Sequence, residues 1–218
     1  MALLMVHLLA AQRWAQSREA YRDCPEFYFG AISPDAIHVR DHDDKSHKNE
    51  IHLNNWCSPH PDEVVAYWRE HSTPFDIGYG IHVLTDAQWV PRFRARLPEI
   101  LLPDGSVNTK IYYNDTFVTD FQLYRERGGE ALFDCIGQAE APDDHPLLTR
   151  EELSEWRRMM VESYHGTCPK SQPVRYIDRA YVDDFLGDCQ QLFDEVYGRY
   201  EDERSFEGHS GSKEHERI

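Results

Sequence analysis

The chain is short of the features that mark several protein classes. It has no apolar run able to span a bilayer: the best candidate, the opening "MALLMVHLLAA", is too short, is broken by His7 and lacks a basic leader, so it reads as a helix of the mature fold. The five cysteines (Cys24, Cys57, Cys135, Cys168 and Cys189) are odd in number and contain no CxxC pair. That argues against a disulfide framework or a thiolate zinc knuckle and fits a reducing cytoplasm. Basic residues are outnumbered, 23 against 39 acidic, and the net charge of −16 disfavours extended nucleic-acid binding. It leaves open a small phosphorylated substrate held by cations. A lysine-rich amphipathic helix for an anionic membrane surface is also missing. No stretch alternates apolar and polar residues between hairpin turns, and no internal repeat is visible, so the expected class is all-α.

What is present supports one core. A chain of 218 residues, 40% hydrophobic and 12% aromatic, builds one sizeable domain, expected over residues 1–203, with the polar segment 204–218 as a flexible tail. Leu4, Leu8, Ala11, Trp14 and Ala15 fall at helical spacing over residues 3–18. Gly30 and Ser33-Pro34 suit a helix end or turn, and "DHDDKSHKNEIHLNN" reads as a charged surface loop. Further helices are expected from Pro61, from Pro74 to Pro91, and through "TKIYYNDTFVTDFQLYRE". Two more are expected from the Thr149-x-x-Glu152 capping box to Gly166, and from Tyr176 to about Glu203.

The residues that suggest chemistry interrupt apolar helix. His82 and Asp86 in "GYGIHVLTDAQW" stand one turn apart on one face, the spacing with which a helix presents two ligands to one cation; a buried His–Asp pair is the alternative. Gly78, a turn earlier, leaves room on that face for incoming groups. Asp35, after "GAISP", is a third candidate, with helix capping as its plainer role. His47 and His52 in the charged loop compete to supply another ligand. His7 is embedded in an apolar helix, and Asp120 breaks the apolar pattern of its helix more visibly than Asp115, which suits a solvated face.

The ordered set "MVHLLAAQRW", "FGAISPDAI", "KNEIHL" and "GIHVLTDAQW" resembles the zinc-dependent phospholipase C family, whose wider relatives include single-strand-specific zinc nucleases. The resemblance covers roughly residues 1 to 90 and, weakly, the helix around Asp120. It implies a helical bundle of that type, with Asp35, His52, His82 and Asp86 holding one zinc and Asp86 bridging toward a second near His7. The family's secreted enzymes also ligate zinc through a processed N-terminal residue and through histidines after the HxxxD. This chain starts at Met1, and "AQWVPRFRARLPEILL" has no histidine, so one or two ions are expected, with Asp120 replacing a missing ligand. Another divalent transition metal could serve in place of zinc.

The activity implied is hydrolysis of a phosphoester or phosphodiester, since zinc acidifies water and neutralises charge developing on a phosphoryl group. Asp35 would orient that water or accept its proton. Two alternatives stand beside it. One is an HD-type phosphohydrolase using His42-Asp43; the other is a non-catalytic helical protein with a metal site closed by four protein groups.

Overall fold

The structure is a computed structural model and describes residues 3–42, 44, 46–56, 58–164 and 172–210, the last four through their backbone alone. The described residues form eleven α-helices: α1 (Leu4–Ala15), α2 (Glu19–Arg22), α3 (Pro25–Gly30), α4 (Ile37–Asp41), α5 (Lys48–Ile51), α6 (Pro61–Glu70), α7 (Pro74–Arg96), α8 (Thr109–Glu126), α9 (Gly129–Gly137), α10 (Arg150–Tyr164) and α11 (Arg179–Ser210). Two 3-10 turns, Ser33–Ala36 and Pro98–Ile100, complete them. Among the described residues there is no β-strand, and an isolated bridge joins Leu101 to Val107. The class is all-α. No described helix is long and apolar enough to cross a membrane.

Helix α7 is the axis of the molecule, in contact with α1, α3, α6 and α11. Its start is fixed by a capping box: Thr73 Oγ1 accepts from the Asp76 N–H, and the Thr73 N–H donates to Asp76 Oδ2 at 2.9 Å. From Phe75 to Ala87 every residue is buried, the mark of a helix covered on all sides. Contact with α3 is made backbone to backbone. A Cβ on Gly78 would lie 2.0 Å from the Phe27 carbonyl oxygen, and one on Gly30 would lie 2.0 Å from that of Phe75. Gly78 therefore serves helix packing, a correction to its expected role of leaving space for incoming groups.

Pro91 does not end α7, which continues to Arg96. Beyond the proline, Phe93 is buried in the core, and Arg92 and Arg96 pair with Asp184 on α11 at 2.5 and 2.7 Å. Tertiary contacts outweigh the lost backbone hydrogen bond. Helix α11 runs past Glu203 to Ser210, so the segment expected as a tail begins helical; residues 211–218 lie outside those described. The Thr149–Glu152 capping box is formed, with Thr149 N–H to Glu152 Oε2 at 2.8 Å and Glu152 N–H to Thr149 Oγ1 at 3.2 Å. Gly166, expected to close that helix, lies outside the described residues.

Candidate metal centre

Four segments deliver side chains to one buried point against α7. Helix α1 is buried along Leu4–Ala11 and carries His7 into the core. The 3-10 turn after α3 carries Asp35. It is braced by Ser33 Oγ donating to the Phe29 carbonyl at 2.7 Å and by Trp156 Nε1 of α10 donating to the Ile32 carbonyl at 2.8 Å. Helix α5 ends at His52, and α7 supplies His82 and Asp86 at i, i+4.

The turn after His52 is unusual in having two consecutive non-glycine residues, Leu53 (φ 50°) and Asn54 (φ 58°), in the left-handed region. Asn55 holds it closed, its amide donating to the Leu53 carbonyl at 2.6 Å and the His60 carbonyl at 3.2 Å. Tyr79 of α7 donates to the Ile51 carbonyl at 2.6 Å, tying this turn to the central helix. The stretch read as a charged surface loop is thus tied down at its second half, where Lys48, Ile51, His52 and Asn55 are buried.

Asp35, His52, His82 and Asp86 each offer a ligand atom, and the four atoms lie within 4.8 Å of one another, all buried. His52 Nε2 stands 3.6 Å from Asp35 Oδ1 and 3.4 Å from Asp86 Oδ2. His82 Nε2 stands 3.9 Å from Asp35 Oδ2 and 4.0 Å from Asp86 Oδ2. These are long for hydrogen bonds. Donors placed about 2.1 Å from a tetrahedral zinc are about 3.4 Å from each other, so the spacings suit four groups sharing an ion.

The outer nitrogens fix the rings. His52 Nδ1 lies 2.9 Å from the Lys48 carbonyl and His82 Nδ1 lies 2.8 Å from the Ala31 carbonyl. A carbonyl only accepts, so both Nδ1 atoms carry the proton, and in the neutral ring the Nε2 lone pair faces the carboxylates. Both Nε2 atoms are buried without a hydrogen bond. This is the arrangement metal-ligating histidines adopt.

The electrostatics agree. Burial, with His7 alongside, pushes the His82 imidazolium well below the usual range and leaves the ring neutral. For Asp35, burial acts upward but is overridden by Lys48 and by His52, which hold the carboxyl well below its ordinary value. Asp86 is likewise depressed, burial being overridden by surrounding positive and hydrogen-bonding groups that include His52 and His7. His52 is raised: burial works downward, and the two carboxylates outweigh it.

The remaining expected residues fall in different places. His7 is outside the group of four but adjoins it, Nε2 being 3.5 Å from Asp86 Oδ1. Asp120 is not brought to that group. Its Oδ1 accepts the Met5 N–H at 3.0 Å and Oδ2 is bonded to the Tyr164 hydroxyl, so it caps the start of α1, where Leu3 provides no side-chain cap. His47 faces away, with Nδ1 3.0 Å from Asp41 Oδ2 and half its side chain exposed. His42 is exposed at the end of α4, apart from the buried group, and Asp43 lies outside the described residues. Asp115 is not on a solvated face: it is fully buried, and its Oδ2 accepts from the N–H groups of Arg175, Tyr176 and Ile177 at 3.1, 2.7 and 3.3 Å.

Lys48 is the functional candidate missed in the sequence. It is buried, with Nζ 3.0 Å from Asp35 Oδ1 and 3.3 Å from His38 Nε2. The signal was its i, i+4 spacing to His52, hidden by the polarity of the surrounding loop. Comparison of the chain with protein-family models, with curated proteins and with solved structures gives no match.

Proposed function

We propose that this protein is a zinc-dependent hydrolase of small phosphoesters, with Asp35, His52, His82 and Asp86 as the ligands of one ion. The observation that carries the metal site is the set of four N···O separations of 3.4–4.0 Å, combined with two imidazoles whose Nδ1 atoms are committed to backbone carbonyls. The order of these residues along the chain supports a helical bundle of the zinc-dependent phospholipase C type. Bound zinc supplies Lewis acidity toward water and a phosphoryl oxygen. In this reading Asp35 would orient water or take its proton; its Oδ2 lies toward His82 and its Oδ1 toward His52 and Lys48. Asp86 extends its other oxygen to His7, which supports a second ion position between them.

A second reading, a metal site without turnover, is favoured by the burial of all four ligands, since a site closed by protein groups admits no substrate. One experiment separates them. Metal content is measured on protein purified without chelator, followed by turnover of p-nitrophenyl phosphate and bis-p-nitrophenyl phosphate after chelation and after zinc is restored. The hydrolase reading expects bound zinc and zinc-restored turnover. Zinc without turnover supports the structural site, and absence of any bound transition metal removes both.

A further inference from the structure

The connection between α9 and α10 is tied around one imidazole. The backbone N–H groups of Leu147 and Leu148 donate to His145 Nδ1 at 3.3 and 3.2 Å. A backbone N–H only donates, so Nδ1 is the acceptor and the neutral ring carries its proton on Nε2. That Nε2 stands 3.0 Å from the Tyr67 hydroxyl of α6. Tyr67 donates its own proton to Asp76 Oδ1 at 2.9 Å and therefore accepts from His145. Asp76 Oδ2 in turn accepts the Thr73 N–H in the capping box that starts α7. One histidine thus joins the α9–α10 connection to the first turn of the central helix.

The ring is enclosed on one side and borders open space on the other. Phe75 and Tyr79 of α7 lie against it, with ring centroids at 5.5 and 4.9 Å. It also lines a cavity of about 430 Å³ together with Arg40, Leu147 and Thr149. Among the charged and titratable groups, Tyr67 and His71 face it from α6, and Asp76 and Tyr79 from α7. Across the cavity, Arg40 of α4 is paired with Glu152, Arg150 of α10 is paired with Asp143, and Glu151 completes the rim.

A proton added to this ring goes to Nδ1, where it meets two N–H donors, so protonation removes both backbone hydrogen bonds. Burial pushes the His145 imidazolium down to about 4, against the raising effect of Asp76 and with a further lowering from His71. The folded value is below the ordinary one of about 6.5, so the bonds are complete above that pH and are lost as pH falls toward 4.

We infer that His145 is an acid-released latch: unprotonated, it folds the Leu147–Leu148 turn onto its ring and anchors it to Tyr67, and protonated, it lets the turn go. The turn also carries the buried Leu148 and the Leu147 carbonyl, which accepts from Arg40 at 3.3 Å. Its opening therefore loosens a tie to α4 and uncovers apolar surface beside the cavity. The latch needs no metal at Asp35, His52, His82 and Asp86.

The test follows amide exchange by NMR in the full chain from pH 7 to pH 4.5, corrected for intrinsic rates. Protection of Leu147 and Leu148 is read relative to the amides of α11 in wild type, H145N and H145A. Asparagine keeps an acceptor near the Nδ1 position and does not titrate, whereas alanine removes it. At pH 7, H145N is expected to protect both amides like the wild type, and H145A at least about tenfold less. At pH 4.5 the wild type is expected to lose at least about tenfold while H145N holds. Wild-type protection unchanged over this range, or falling in parallel in H145N, overturns the latch. So does a nitrogen-15 titration in which His145 protonates at the ordinary midpoint of about 6.5. Should H145A fail to fold, wild type against H145N decides.

Discussion

The imidazole of His7 lies flat on that of His82, with ring centroids 3.7 Å apart and planes within 4° of parallel. A helix near the start of the chain thus restrains a candidate ligand on the central helix. The Ala31 carbonyl fixes the rotation of the His82 ring, and the stack fixes its plane.

This pairing separates two roles of His7. Phenylalanine preserves the stack but removes the nitrogen 3.5 Å from Asp86 Oδ1, whereas alanine removes both. H7F is expected to keep zinc at the four-ligand site with affinity close to the wild type. H7A is expected to lose about 10–100-fold, the usual effect of removing a residue that orients a ligand. Competition titration against a chelating dye measures both, and equal loss in the two variants contradicts the orienting role.

Zinc bound at a site that the folded chain alone assembles would stabilise the fold. At a free zinc concentration 100 times Kd the gain is about 2.7 kcal/mol, or about 5–11 °C in Tm for a chain of this size. Thermal denaturation should show that rise, its reversal by chelator, and its absence in D86N. A Tm indifferent to zinc in the wild type counts against the site.

Asp120 gives a pH signature independent of metal. Burial pushes its carboxyl up to about 7, against the lowering effect of the Tyr164 hydroxyl and the backbone N–H groups of Met5 and Val6. The folded-state value is above the unfolded one, so its contribution is complete below about pH 4 and is lost as pH rises through 7. A gap of about three units is worth about 4 kcal/mol at its full extent. D120N retains an acceptor for Met5 and should match the wild type near pH 4, exceed its stability at pH 8, and leave zinc affinity unchanged. Chemical denaturation across that range checks the first two, and a fall in zinc affinity would restore Asp120 as a ligand.

Gly78 couples packing to the site. A methyl group there would overlap the Phe27 carbonyl, and neither backbone can yield without moving α3 from α7, one turn before His82. G78A is expected to cost about 3 kcal/mol and to weaken zinc binding in the same protein. Denaturant unfolding with zinc titration reads both effects; a variant as stable as the wild type would contradict the close crossing.

Much of the candidate site was legible because its residues break local patterns. His82 and Asp86 stand in a largely apolar stretch of α7, residues 78–87, and His52 is set between Ile51 and Leu53, an apolar setting that His47 lacks. Lys48 was invisible because a charged residue in a charged loop looks solvated, and its burial depends on α5 folding back against Asp35. Asp115 and Asp120 show the same limit. Both carboxylates sit on α8, and each is buried by backbone N–H groups from distant segments, Arg175–Ile177 in one case and Met5 in the other. Periodicity carries no information about such long-range partners. It also misplaced the end of α7, where contacts of Phe93, Arg92 and Arg96 carry the helix through Pro91.

The most direct test is an anomalous difference map at the zinc edge from crystals of zinc-loaded protein. The account expects a peak about 2.0–2.2 Å from a carboxylate oxygen of Asp35, a carboxylate oxygen of Asp86, His52 Nε2 and His82 Nε2. Zinc-loaded crystals with no peak among these four atoms, or with zinc bound only by surface residues such as His47 and Asp41, would contradict it.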